Sequence, residues 1–259
     1  MRVFDTLIIG SGYSSVGYAL ANDNCLICEE NEICDTHFYL PMMQYEYSEY
    51  LPRTEAGKEL KVLYGQLGLW GEGMQNVNGF ECGLCSFLER KDIKLLLKCR
   101  VIEICNAEEN LKKITLITNS GLETVYAGKI VDTRSRGGYE GKYLTILFHS
   151  TDLQDAERSM LQAFPGAIIE KAFYNGRYAL HVPSDGYEDV NQLKLSIRDT
   201  WKGQILNAKI MCMSAVPGVY RKPDGVCIDR ESVIPCDDEF CNPVEAFEAG
   251  YLCGKEAVL

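Results

Sequence analysis

The chain reads as an α/β protein: a layered domain with a parallel central sheet and a β-meander, plus an inserted α+β unit built on a split βαβ-like sheet. Three observations predict this. Residues 5–28 run strand, glycine turn, helix, strand, the opening of a parallel βαβ unit. Residues 143–214 run β-α-β-β-α-β, an order of their own. The 259 residues exceed one minimal domain yet fall short of two full ones.

The elements follow in chain order. Asp5–Gly10 is a short apolar run, Val16–Ala21 has helical spacing after a glycine-serine turn, and Cys25–Cys28 is a second run of strand length. Residues 35–79 interleave Tyr39, Tyr45, Tyr47, Tyr50, Tyr64 and Trp70 with prolines and glycines, which predicts an irregular segment with one helix around 55–66. Lys94–Ile104 reads as a helix-to-strand passage. Lys113–Thr118 and Glu123–Tyr126 make a meander turning at Asn119-Ser120-Gly121, and Lys129–Asp132 is a separate short strand. In the insert, strands are expected at 143–148, 167–173, 177–182 and 205–214, with helices at 152–164 and 187–201. This divides the chain into 1–139 with 226–259, and an inserted unit over 140–225.

Composition narrows the function. Hydrophobic residues at 46% and charged residues at 24% are ordinary globular values. A formal charge of -11 argues against nucleic acid and anionic membranes as partners, since both repel such a surface. No stretch approaches the roughly 20 apolar residues that span a bilayer, and Met1–Asp5 does not open an apolar leader. A cytoplasmic protein is expected, with most of its 12 cysteines reduced.

The chemistry concentrates at Gly10-Ser11-Gly12-Tyr13-Ser14-Ser15, between a strand and a helix, where a G-x-G-x-x-small pattern has meaning. Gly10 permits the tight turn, Gly12 lets a pyrophosphate approach the backbone, and Ser14 and Ser15 open a helix whose free N–H groups attract anions. Glu29, with Glu30 beside it, ends the second strand nineteen residues after Gly10. An acid about 20 residues on accepts hydrogen bonds from a ribose 2′-hydroxyl, so NADP is disfavoured while FAD and NAD both stand.

Three further segments carry a resemblance: Lys98-Cys99-Arg100-Val101-Ile102-Glu103-Ile104, Gly128-Lys129-Ile130-Val131-Asp132-Thr133, and the stretch from Ile234-Pro235 through Asn242-Pro243-Val244-Glu245-Ala246 to Lys255. With the glycine turn, and in the same order, they resemble the FAD-dependent oxidoreductases that have a glutathione-reductase-like FAD domain and a single dinucleotide motif. The resemblance covers 1–34, 80–136 and 230–259. It implies FAD as cofactor, with Val101 reading the adenine, Asp132 ending the strand that closes over FAD, and Asn242, Pro243 and Ala246 at a helix end facing the flavin. His37 would lie along the pyrophosphate. Thr133-Arg134-Ser135 departs from the family's Ala-Thr-Gly, and a second glycine motif is missing. The flavin would therefore exchange electrons with a small-molecule substrate or a partner protein directly: either a small substrate is held at an open flavin, or a partner chain, in an oligomer or a complex, completes the site.

Hydride transfer between a small organic substrate and flavin N5 is the expected reaction. An NAD-binding dehydrogenase and a catalytically silent subunit of a larger complex are the alternatives. Proton transfer has few histidine candidates: His37, and His181 on the insert's inner face, with His149 an ordinary strand-end residue. No metal site is expected. Cys82-Gly83-Leu84-Cys85, placed at a turn, is a redox pair, half of a metal site or a pair of partly buried thiols, with no second pair at ligand spacing, and Cys25 and Cys28 are core residues. The tyrosines of 39–50 either wall a pocket or pack on the core.

Overall fold

The computed structural model describes residues 2–31, 38, 42, 50–71, 74–76, 79–107, 110–134, 142–172, 174–187, 189–205, 207–219, 237, 240 and 242–256. The elements in order are β1 (Val3–Ile9), α1 (Tyr13–Ala21), β2 (Cys25–Cys28), α2 (Glu55–Gln66), β3 (Trp70–Gly71), β4 (Met74–Gln75), α3 (Phe80–Arg90), β5 (Lys94–Leu96), β6 (Arg100–Asn106), β7 (Lys112–Thr118) and β8 (Gly121–Asp132). Then come β9 (Lys142–Ser150), α4 (Leu153–Ala163), β10 (Ile168–Lys171), β11 (Arg177–Pro183), α5 (Val190–Gln204), β12 (Ala208–Met213), β13 (Gly218–Val219) and α6 (Pro243–Glu256).

A six-stranded sheet has the order β5-β2-β1-β8-β7-β6. β5, β2, β1 and β8 are parallel, and β8, β7 and β6 are the antiparallel meander. The inner part of β1, Leu7–Ile9, and all of β2 are apolar and buried, as segments covered on both faces must be. Cys25 and Cys28 are both buried, on opposite faces of the sheet. On one face α1 crosses α6 with backbone nearly touching backbone. A Cβ at Gly17 would overlap the Phe247 carbonyl, and one at Gly250 would overlap Ser14. The two ends of the chain therefore form one layer.

The second sheet is antiparallel, order β10-β11-β9-β12, with β13 also on β9. Leu144, Ile146, Phe148, Leu180 and Val182 face α4 and α5 and close a core with Met160, Ile197 and Trp201. The alternate residues Leu147 and Ala179 face the other way and join the core of the first sheet. The expected β-α-β-β-α-β order is the one observed, and Asp152 and Asp189 cap the two helices by accepting from Asp155 N and Asn191 N.

Three local expectations are corrected. Lys94–Ile104 is two strands, because Lys94–Leu96 pairs with β2 at the sheet edge and Lys98, at φ 50°, turns the chain into β6. Cys82–Cys85 lies in α3, not at a turn, since Phe80, Leu84, Phe87 and Leu88 recur at helical spacing on the buried face. Lys129–Asp132 is no separate strand. It continues β8, whose first half pairs with β7 and second half with β1. Among the described residues no helix is long and apolar enough to cross a membrane.

Candidate functional site

The glycine turn leaves β1 at Gly10, where φ is 101° and a Cβ would press on Thr133 Oγ1, so only glycine fits by backbone and by space. Gly12 is the N-cap of α1 and supplies no side-chain acceptor to the first turn. Those donors are instead taken by a carboxylate from far along the chain. Tyr13 N and Ser14 N donate to Asp237, the latter at 2.8 Å, and the Ser14 hydroxyl also donates to it. Two N–H groups and a hydroxyl closing on an anion at a helix N-terminus is the chemistry that holds a phosphate. Ser15 faces the sheet instead, where its hydroxyl meets Thr133 Oγ1 at 2.5 Å and Thr133 donates to the Ile9 carbonyl. Thr133 thus ties α1 to the end of β8.

Glu29 stands at the end of β2, 5% exposed. Its Oε2 accepts from Ser11 N and Oγ, and its Oε1 from Asn31 N and Nδ2, at 2.7 to 3.0 Å. A carboxylate offers about four lone-pair positions, so a ribose would bind Glu29 by replacing a donor already present. Glu30 points outward, within ion-pair reach of Arg134 and Arg100. Asp132 ends β8 opposite Ile9 and is engaged by Arg134, which donates to it from its backbone N, Nε and Nη2. That contact holds the Arg134 guanidinium pKa above its usual value. Val101 is half-buried in β6, two residues beyond the point where Cys99 N donates to the Glu29 carbonyl.

At the other end, Pro243 opens α6 and Ala246 is buried in its first turn. Asn242 Oδ1 accepts from Val244 N at 2.9 Å and Glu245 N at 3.4 Å, so the helix end is capped by its own asparagine. Asn242 Nδ2 is buried and has no acceptor among the described residues, in a side chain 3% exposed. A buried amide donor without an acceptor costs about 1–3 kcal/mol, and it is the kind of group a ligand carbonyl satisfies. The donors at α1 and this orphaned amide fit the FAD that the resemblance implies, provided Asp237 leaves its place.

Of the proton-transfer candidates, His37 lies outside the described residues, as do all of the tyrosines of 39–50 except Tyr50. His181 is fully buried on the face of β11 turned toward the first sheet, with Nδ1 3.0 Å from Thr145 Oγ1 and Nε2 3.4 Å from Glu170. His149 ends β9, where Nδ1 meets the Gly176 carbonyl at 2.7 Å. Cys82 and Cys85 sit three residues apart on α3, and no cluster of three or more potential metal ligands occurs among the described residues.

Sequence reasoning missed three participants. Asp237 and Arg134 gain their roles only through folding. Glu248, on α6 and 1% exposed, accepts from Tyr50, Arg53 N, Thr54 N and Thr54 Oγ1, fixing α6 to the start of α2. Burial pushes this carboxyl up, and the donors from Thr54, Arg53 and Tyr50 outweigh it, leaving the pKa below its ordinary value. A glutamate among the apolar residues of a helix was the one available signal.

No protein-family model and no curated protein matches the chain. Solved structures match in fold. p-Nitrophenol 4-monooxygenase PnpA from Pseudomonas putida DLL-E4 superposes with a TM-score of 0.52 at 10% identity, covering 82% of this chain and 67% of that one. A flavoprotein/dehydrogenase from Cytophaga hutchinsonii gives 0.51 at 13%, covering 99% and 78%. The rebeccamycin biosynthetic enzyme RebC with reduced flavin gives 0.54 at 14%, covering 82% of this chain and 51% of that one, so the chain spans about half of its length. At these identities the likeness is one of fold: a mixed α/β architecture shared with flavoproteins.

Proposed function

We propose that the chain binds FAD in extended form along the carboxyl ends of β5, β2, β1 and β8, and is an FAD-dependent oxidoreductase acting on a small organic substrate. The observation that carries this reading is the pair of backbone donors at Tyr13 and Ser14, aimed from a glycine turn and already closed on an anion. The orphaned Asn242 Nδ2 at the start of α6 supports it, and the fold neighbours include a monooxygenase and two proteins described as flavoproteins or flavin-bound.

Bound FAD would supply the hydride exchange. The chain's own residues would bind and orient. Gly10, Gly12, Ser14 and Ser15 would form the diphosphate turn, Glu29 would trade an Asn31 donor for a ribose hydroxyl, and the Val101 backbone would meet the adenine. Asn242, Pro243 and Ala246 would line the flavin end, where the Asn242 amide has a donor to give. Residues 140–225 would be the substrate or partner unit inserted into a cofactor domain made of 1–139 and 226–259. Both proposed boundaries fall within 135–141 and 220–236, outside the described residues.

A second reading, a catalytically silent subunit, is favoured by one observation: Glu29 and the α1 donors are already saturated by the chain itself. An absorbance spectrum after incubation with FAD separates the two. A bound flavin gives a band near about 450 nm that survives gel filtration, and Glu29→Ala weakens its retention about tenfold. A protein that stays colourless sinks the leading reading, while unchanged retention in the variant removes Glu29 from the site.

A further inference from the structure

The face of the second sheet turned away from α4 and α5 carries a row of cationic and protonatable side chains. In the register of β11, β9 and β12, Arg177 lies directly opposite His149, and Lys209 lies opposite the same His149 from the other side. Their neighbours Tyr178, Phe148 and Ile210 pack with the helix-covered core, so the row of three points the other way. Arg177 and Lys209 thus stand on the two strands that flank β9, with the His149 ring between them. The chain has 37 acidic against 26 basic residues, yet among the described residues neither Arg177 nor Lys209 forms an ion pair with a carboxylate.

The row is shaped as well as charged. Arg177, His149 and Lys209 line one recess of about 580 Å³ together with Asn175, Ile210 and Met211, a volume in the range of small-molecule sites. The Arg177 guanidinium lies 4.7 Å over the Tyr174 ring, and Tyr174 in turn accepts from Asn76 Nδ2 at 3.1 Å. Stacking of this kind limits the orientations of the guanidinium before any ligand arrives. The bond from His149 Nδ1 to the Gly176 carbonyl requires Nδ1 to donate, which leaves Nε2 as the remaining polar atom of the ring. Asn175 adds an uncharged amide to the lining.

We propose that Arg177, His149 and Lys209 form a binding site for the oxyanion group, carboxylate or phosphate, of a small organic ligand. The planar fork of Arg177 and the ammonium of Lys209, on the two strands that flank His149, offer charge-assisted hydrogen bonds to the oxygens of one such group. The exposed Met211 in the same lining gives the ligand's carbon skeleton an apolar surface to lie on. The assignment is independent of the flavin reading and stands without it.

The test uses the purified full chain, titrated separately with sodium phosphate and sodium benzoate at constant ionic strength set by sodium chloride, and followed by amide chemical shifts. Saturable shifts at 149, 175–177 and 209 are expected with at least one of the two anions, and the tighter one identifies the group as phosphate or carboxylate. Arg177→Gln combined with Lys209→Gln weakens that binding at least tenfold. Lys209→Gln alone, at an exposed position, gives a smaller loss in the same direction if the double variant does not fold. Equal affinity in wild type and variant overturns the site. So does the absence of saturation by either anion at millimolar concentration, including the case in which only an acidic peptide binds.

Discussion

The layer made by α1 and α6 and the unit from β9 to β13 are held together by different means. In the first, residues from opposite ends of the chain share an apolar core and close on one another without spare space: Gly17 and Gly250 let two helices touch by their backbones, and Glu248 collects four hydrogen bonds from residues 50–54. In the second, the residues are continuous in sequence and the core is a broad interdigitation of aliphatic and aromatic side chains between sheet and helices. Where backbone meets backbone an added atom has nowhere to go, whereas interdigitated side chains can give way in small steps.

Gly250→Ala tests this contrast at its sharpest. The new methyl meets the Ser14 backbone, which cannot swing aside as a side chain would, and a loss of about 3 kcal/mol or more in urea denaturation is expected. Glu248→Gln follows, at about 2 kcal/mol, because an amide cannot accept from all four donors. Its pH dependence has a definite sign. The folded carboxyl titrates below its ordinary value, so its stabilisation is fully present above the unfolded value near about 4.3 and is lost as the pH falls through the folded value. The gap between wild type and Glu248→Gln is therefore constant at neutral pH and narrows in acid. Ile146→Val, in the fully buried core of the second sheet, costs only about 1 kcal/mol. A larger loss there than at Gly250 would reverse the comparison.

The same contrast explains what could be read in the sequence. The β-α-β-β-α-β order was legible because its strands and helices alternate in runs that are continuous in the sequence. The turn at Gly10–Ser15 and the acid at Glu29 were legible because strand, turn, helix and strand lie within about thirty residues. Asp237 was not, since it acts 223 residues from Ser14 and no local pattern distinguishes it from Asp238. Nor was the cationic row: Arg177, His149 and Lys209 are far apart in sequence and become neighbours only through strand register. Helix α3 was hidden by Cys82 and Cys85, whose spacing matches a thiol motif and masks the recurrence of Phe80, Leu84 and Phe87.

Asp237 also changes what an affinity measured at the α1 terminus means. Any anion arriving from solution competes with a carboxylate tethered to the same molecule, present at a local concentration set by the chain rather than by the buffer. The observed dissociation constant is then the intrinsic one divided by the fraction of molecules in which the tether is released. A weak apparent affinity at this turn would report a strong internal competitor as readily as a poor fit.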